Sequence, residues 1–159
     1  MRRDHFELEA HDVDWVETGD PPAEPRVVID FHGPAEALTD RLTDADGELL
    51  DAGETDVTFR LQDSLDTPDA TGVVSVTDRI TGDFLLELNE AADDVLRFVR
   101  AAREYGQSTD ADDGGGRYRV VLRIDGEPLT TYSKSTFLVY DANGSLLRSK
   151  SLIPSGVEL

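Results

Sequence analysis

Apolar and polar residues alternate along several stretches of this chain, which is the pattern of half-buried β-strands. Phe6, Leu8 and Ala10 alternate with polar neighbours over residues 6–13, and the period of two returns over 26–32. The same reasoning predicts strands at 57–61, 73–76, 84–88, 118–124, 136–140 and 145–152. Polar turn sequences separate neighbouring strands, and Asp141-Ala142-Asn143-Gly144 is a strong hairpin turn. The pattern therefore indicates about eight strands, joined largely as antiparallel hairpins.

Two helices are predicted between these strands. Leu38 and Leu42 fall on one side of a short helix that Pro34 can begin. A longer helix has Asn89 as its expected N-terminal cap and Gly106 as its expected end. Its apolar face consists of Val95, Phe98, Val99, Ala102 and Tyr105. The predicted fold class is α+β, mostly antiparallel β with two helices, the longer of which packs on a sheet.

The length of 159 residues suits a single domain that covers 1–159. Residues 108–116 combine three aspartates with three glycines, and we expect them to form a flexible acidic loop. If the chain has two lobes, they are 1–107 and 117–159, joined by this loop.

Acidic side chains outnumber basic ones by 34 to 15, and Lys134 and Lys150 are the two lysines of the chain. On a folded surface of this size, the 34 carboxylates would lie about 15 Å apart. The Debye length is about 8 Å in physiological salt and about 3 Å in molar salt, so concentrated salt nearly abolishes their repulsion. The preference for weakly hydrated arginine over lysine fits the same solvent. The composition predicts an acidic protein adapted to the salt-rich cytoplasm of a halophile, with a fold that requires high salt.

Composition also disfavours several classes of function. The chain has no cysteine, which excludes disulfides and thiolate chemistry. No apolar run is long enough to span a bilayer, and residues 1–7 lack the apolar stretch of a signal peptide, so we expect a soluble cytoplasmic protein with no membrane partner. A net charge of −19 repels phosphates, which lowers the expectation of nucleic-acid binding.

Three segments carry a resemblance to a known family. They are Thr71-Gly72-Val73-Val74-Ser75-Val76-Thr77 with Gly82-Asp83-Phe84, then Lys134-Ser135-Thr136-Phe137-Leu138-Val139-Tyr140-Asp141, and the ending Ser151-Leu152-Ile153-Pro154-Ser155-Gly156-Val157-Glu158-Leu159. Together they resemble a family of short acidic haloarchaeal proteins of unknown function, and the similarity extends over nearly the whole chain. This resemblance implies a halophilic origin and brings no activity, cofactor or site residue.

Six arginines form the candidate binding site. Arg117, Arg119 and Arg123 are predicted to share one strand face, and Arg97, Arg100 and Arg103 lie on the preceding long helix. Guanidinium groups bind carboxylates and phosphates through paired hydrogen bonds, so such a surface would recognise an anionic ligand or an acidic protein partner. The alternative is that these arginines neutralise carboxylates of the same chain, including Glu87 and Glu104.

A metal site is the basis of an alternative function, a small metal-assisted hydrolase. His32, Asp30 and His11 come from the first two predicted strands and would supply mixed nitrogen and oxygen ligands if those strands were neighbours. His5 and His11 are too far apart along one strand to share an ion, so only one of them could join His32. The spacing matches no established metal motif, and polar-face histidines are the simpler interpretation.

The remaining motifs do not form a convergent catalytic set. Asp63, Asp66 and Asp69 lack the spacing of a calcium loop, as does the acidic run in 108–116. The glycines at 114–116 precede a strand and not a helix, so they do not match a phosphate-binding loop. The sequence leaves enzymatic activity open and favours a noncatalytic binding or accessory module. That module would need no cofactor and would bind a protein partner through the arginines or an exposed strand edge.

Overall fold

Two four-stranded sheets and three helices make up the part of the chain that the computed structural model describes, residues 5–108 and 117–153. Sheet I has the strand order β1 (Phe6–His11), β2 (Arg26–Phe31), β6 (Tyr118–Ile124), β7 (Glu127–Lys134). Sheet II has the order β5 (Phe84–Ala91), β4 (Thr71–Asp78), β3 (Thr55–Leu61), β8 (Leu138–Tyr140). The helices are α1 (Trp15–Thr18), α2 (Ala35–Arg41) and α3 (Ala92–Ser108), with short 3₁₀ segments at Ala52–Glu54 and Arg148–Lys150.

Most neighbouring strands run antiparallel, as predicted, but each sheet also contains one parallel pair. In sheet I, β2 lies parallel to β6, with Val27 opposite Val120. In sheet II, β3 lies parallel to β8, with Phe59 opposite Val139. Each sheet thus combines strands that precede residues 109–116 with strands that follow them. The predicted acidic loop at 108–116 lies outside the described residues, except for Ser108 at the end of α3.

The inner faces of both sheets share one hydrophobic core with α3. Phe31 from sheet I and Phe59 from sheet II are completely buried in it. The ring of Phe98 on α3 meets the ring of Tyr118 on β6 edge-on, with a centroid separation of 5.4 Å. Tyr118 in turn lies 5.8 Å from the ring of Phe137, just before β8. Tilted and edge-to-face contacts are favourable for aromatic pairs, so these rings join the helix to both sheets.

The long helix occupies a later stretch than the sequence predicts. Asn89 is not its cap, because β5 continues through Asn89 to Ala91 and pairs there with β4. Gly106 does not end it either, since the helix continues to Ser108 with Gly106 buried inside. Ala101 and Ala102 are fully buried, and the small residues let the helix backbone lie close to the core.

Three further differences separate the prediction from the structure. The helix α1 has only four residues, too few for an apolar period, and Gly19 ends it with a positive φ of 79°. The strand β7 is mostly polar and shows no alternation of apolar and polar residues, so the sequence does not predict it. Its hydrogen-bonded pairing with β6 makes it a strand. The strand predicted over 145–152 is wrong, because the described chain forms only isolated bridges and a 3₁₀ segment there. The buried Ser151 hydroxyl bonds the backbone of Val139 and Leu147, in place of a regular ladder.

Candidate functional site

A groove between α1, α3 and the 3₁₀ segment Arg148–Lys150 collects cationic side chains. Its volume is about 440 Å³. The charged residues that line it are Arg97, Arg100, Arg103 and Lys150, together with Glu17 and Asp93. Four cations therefore face two carboxylates on the surface of a chain whose overall charge is −19. We refer to these six residues and the space between them as the cationic groove.

Spacing along α3 places the three helix arginines on the groove. Positions three and four apart lie on the same helix face, so Arg97, Arg100 and Arg103 form one row. Lys150 reaches the row from the other side, because the bridge between Phe137 and Leu152 holds the segment that contains Lys150 beside sheet II. Sequence reasoning missed Lys150, since nothing local relates it to a helix so far away along the chain.

Two of the three helix arginines, Arg97 and Arg103, already bind other groups of the chain. Arg97 binds the carboxylates of Asp14 and Glu17, the latter with Nε to Oε1 at 3.1 Å. Arg103 donates to the backbone carbonyls of Ser149 and Ser151, at 3.4 and 2.6 Å, and so holds the 3₁₀ segment.

Arg100 and Lys150 are the more accessible cations of the groove. The Arg100 Nε lies 3.7 Å from Oε2 of Glu104, four residues along the same helix, and both side chains are exposed. Exposed pairs of this kind contribute little to stability. Lys150 is also exposed, and no described carboxylate lies within ion-pair distance of it. These two side chains can therefore turn to a ligand at little cost to the fold.

The other three predicted arginines lie away from the cationic groove. Arg119 and Arg123 are on the outer face of sheet I, and Arg119 binds Glu24 with Nε to Oε1 at 2.6 Å. Arg117 precedes β6, and its backbone N–H donates to the carbonyl of Ala102 on α3. The structure thus divides the six arginines into a helix group around one groove and a strand group on another face.

The histidines of the proposed metal site occupy opposite ends of the β1–β2 ladder. His11 lies opposite Arg26, whereas His32 follows Phe31, which lies opposite Phe6. Five residues of strand separate these ends, about 17 Å. His32 and Asp30 are therefore near each other, and His11 is remote from both. Among the described residues, no group of three or more His, Asp or Glu side chains is arranged to hold a metal ion.

His32 instead lies between two carboxylates. Its Nδ1 is 3.2 Å from Oδ1 of Asp125, and its Nε2 is 3.3 Å from Oε2 of Glu7. Both contacts favour the doubly protonated ring, because each nitrogen then donates to a carboxylate. The hydrogen bond to Asp125 raises the pKa of His32, and Glu7 and Asp30 act in the same direction.

Replacing Asp125 with Asn is expected to lower the pKa of His32. In the wild type, the contacts of the protonated His32 ring stabilise the fold fully at pH values below 6.5, the ordinary pKa of histidine. This contribution is lost as the pH rises through the raised pKa that His32 has in the folded protein. An NMR titration of the His32 ring protons measures the change. Asp141→Asn, which removes a carboxylate from a different turn, is the control and should leave the His32 curve in place. A curve unchanged by Asp125→Asn would contradict the assignment.

Of the acidic residues in the loop between β3 and β4, Asp63 has a structural role. The Asp63 carboxylate accepts a hydrogen bond from the backbone N–H of Thr71, at 3.1 Å, and so closes the loop between β3 and β4. Asp66 and Asp69 are exposed in the same loop. The acidic run at 110–113 lies outside the described residues.

No helix among the described residues is both long and apolar enough to cross a membrane.

Comparison with known proteins places the chain in a family. No curated protein and no solved structure matches the chain. The profile of a family of unknown function, DUF5793, matches residues 1–159, which is the whole chain. The chain therefore belongs to the DUF5793 family of unknown function.

Proposed function

We propose that this chain is a noncatalytic, salt-adapted binding domain of a halophile's cytoplasm, and that it holds an acidic protein segment in the cationic groove. One observation supports the proposal above the others: four cations line a single groove on a strongly acidic chain. Carboxylate groups complement that lining, and bidentate pairing with guanidinium adds directional hydrogen bonds. We infer that residues 1–159 form one domain that carries this groove.

Solvent salt explains how an acidic chain would bind an acidic partner. In dilute buffer the net charge of −19 repels any polyanion before it reaches the groove. In molar salt the Debye length is about 3 Å, so this repulsion ends close to the surface while direct contacts persist. Arg100 and Lys150 then provide the contacts, because Arg97 and Arg103 already hold neighbouring segments of the chain.

Titration with a short fluorescent Asp/Glu peptide in molar KCl tests the proposal. The double variant Arg100→Gln, Lys150→Gln should weaken binding about tenfold, because two charge-assisted contacts are lost. The matched control is Arg60→Gln on β3 with Arg119→Gln on β6, which removes the same charge from residues that do not line the groove and should bind as the wild type does.

Two results would overturn this function. One is equal binding of the acidic peptide and an Asn/Gln peptide of the same length. The other is an equal loss in the groove variant and in the control variant, which would mean that net charge, and not the groove, governs binding.

A further inference from the structure

The outer face of sheet II carries a groove that is separate from the cationic groove. Its volume is about 610 Å³, within the range of about 300–1,000 Å³ that small-molecule sites occupy. Thr58 and Arg60 of β3 and Ser75 of β4 line it, whereas their neighbours Phe59 and Val74 are buried in the core. Successive side chains of a strand point to opposite faces, so the groove lies on the side of the sheet that faces away from the core. We refer to it as the sheet II groove.

The sheet II groove runs diagonally across all four strands. At one end, Tyr140 on β8 lies opposite Arg60 on β3, which lies opposite Val73 on β4. At the other end, Phe84 on β5 lies opposite Thr77 on β4. Both aromatic residues line the groove. Across the sheet and along β4 from Val73 to Thr77, their Cα atoms are about 20 Å apart. The groove thus suits an extended ligand, with an aromatic ring at each end.

A buried hydroxyl group lies between the two ends of the groove. Ser75 is 5% exposed, and it lies between Thr58 on β3 and Glu87 on β5 in one row across the sheet. All three residues line the groove. Within the described ranges 5–108 and 117–153, no hydrogen bond involves the Ser75 hydroxyl. Buried hydroxyls usually have a hydrogen-bond partner, because burial removes their bonds to water. The Ser75 hydroxyl is therefore available to a ligand in the groove.

The charges of the sheet II groove balance, although the chain as a whole is strongly acidic. Arg60 and Glu87 are the charged residues that line it, one cation and one anion on a chain of net charge −19. Arg60 is exposed, and its Nη2 donates to the carbonyl of Ala142 at 3.2 Å. The ion pairs in the described part of the chain do not include Arg60, so its other N–H groups can bond a ligand. A neutral ligand rich in hydroxyl groups complements this lining, because a hydroxyl both donates and accepts.

The aromatic residues at the ends indicate which neutral ligand fits. Phe84 is 54% exposed although its side chain is large and apolar, and Tyr140 is half-buried. The face of an aromatic ring carries partial negative charge and attracts C–H groups. A pyranose ring presents C–H groups on its face and hydroxyl groups around its edge. Sugar rings can therefore stack on the two aromatic residues while their hydroxyls reach the polar side chains between them.

We propose that the sheet II groove binds an extended neutral oligosaccharide. One sugar ring lies against Phe84, another lies against Tyr140, and hydroxyl groups between them bond Ser75 and Arg60. The Arg60 guanidinium donates to sugar oxygens, and the Ser75 hydroxyl can both donate and accept. A polar peptide of equal length would bring hydrogen bonds without the sugar rings that stack on the aromatic residues. It is therefore the comparison ligand in the test.

Calorimetric titration in molar KCl with cellotetraose, maltotetraose and chitotetraose tests the ligand class. At least one tetrasaccharide should bind, and its disaccharide should bind about tenfold more weakly, because it reaches only one aromatic ring. Doubling the KCl concentration should not change the affinity, since the ligand is neutral. Three results would each overturn the proposal: no binding of any tetrasaccharide, equal affinity for the tetrasaccharide and its disaccharide, or tighter binding of a Gly/Ser/Thr peptide of similar length.

Variants assign the binding to residues of the groove. Phe84→Ala should weaken tetrasaccharide binding about tenfold, because the stacked ring is lost. The matched control is Ile80→Ala, since Ile80 is 81% exposed on the same hairpin and does not line the groove. This control should bind as the wild type does. Equal affinities of the Phe84→Ala and Ile80→Ala variants would contradict the assignment.

Ser75→Ala tests the floor of the groove. It should weaken tetrasaccharide binding about fivefold, because one hydrogen bond to the ligand is lost. The melting temperature of the unliganded protein should not fall, since the Ser75 hydroxyl bonds no other described group. Wild-type affinity of this variant would show that the buried hydroxyl does not bind the ligand.

Discussion

Replacing Lys134 with Met is expected to destabilise the protein by about 1–3 kcal/mol, because the buried carbonyl of Thr55 loses its charged donor and the half-buried carbonyl of Ala52 loses one of its donors. The Lys134 Nζ donates to the carbonyls of Ala52 and Thr55, at 2.7 and 2.6 Å. The residue is 9% exposed, and Thr55 is completely buried. Lys134 ends β7 in sheet I and Thr55 begins β3 in sheet II, so these bonds connect the two sheets. Met keeps the apolar stem and removes only the charged donor.

Urea unfolding in molar KCl measures this loss. Lys150→Met is the matched control, because it replaces the other lysine, an exposed one, and should change the free energy of unfolding by no more than about 0.5 kcal/mol. Equal midpoints for the two variants would show that the bonds from Lys134 do not stabilise the fold.

The same lysine should make stability depend on pH. Burial lowers the pKa of Lys134, and the charge of Arg79 lowers it further. At pH values between the lowered pKa of Lys134 in the folded protein and its ordinary pKa of 10.5, the unfolded chain binds more protons than the folded one. The free energy of unfolding therefore increases with pH in this range. Burial raises the pKa of Tyr132 to about 12, which has the opposite effect above the ordinary tyrosine value of 10.0. The rise should therefore be measured below pH 10 and be absent from Lys134→Met.

Transfer from molar KCl to dilute buffer is expected to unfold the protein or lower its melting temperature by tens of degrees. No Asp or Glu among the described residues is buried, so their repulsion acts across the surface and depends on screening. The ion pairs that the structure describes are mostly exposed and compensate only part of a net charge of −19. At low salt the compact state therefore concentrates charge that the unfolded chain can separate.

Circular dichroism during thermal melting at decreasing KCl concentrations measures the effect. Sodium chloride at equal ionic strength should protect as well as KCl does, and sucrose should not restore the melting temperature fully, because it does not screen charge. A melting temperature that is unchanged in dilute buffer would contradict the proposed salt adaptation, and the acidic composition would then need another explanation.

Local patterns predicted the elements whose residues carry a clear period. Phe6, Leu8 and Ala10 mark β1, and Val95, Phe98 and Val99 mark the core-facing side of α3, as the sequence indicates. The prediction failed where neighbours along the chain do not set the structure. Glu127–Lys134 is polar and becomes a strand through its pairing with β6.

The candidate sites show the same division. Helical spacing brought Arg97, Arg100 and Arg103 into one row, whereas Lys150 joined them only because the 3₁₀ segment Arg148–Lys150 packs beside α3. The strand arginines Arg119 and Arg123 face a different surface, because β6 lies inside sheet I and not beside the exposed side of α3.

By itself the sequence determined the α+β content and the acidity of the surface, because strand and helix periods and charge are properties of neighbouring residues and of composition. Only the tertiary structure decided the parallel pairs β2–β6 and β3–β8, which join segments far apart in the chain. It also lined one small apolar cleft with side chains from both sheets and α3, among them Val27, Val57 and Phe98. A cleft exists only where separate elements pack incompletely, and no local pattern encodes such a gap.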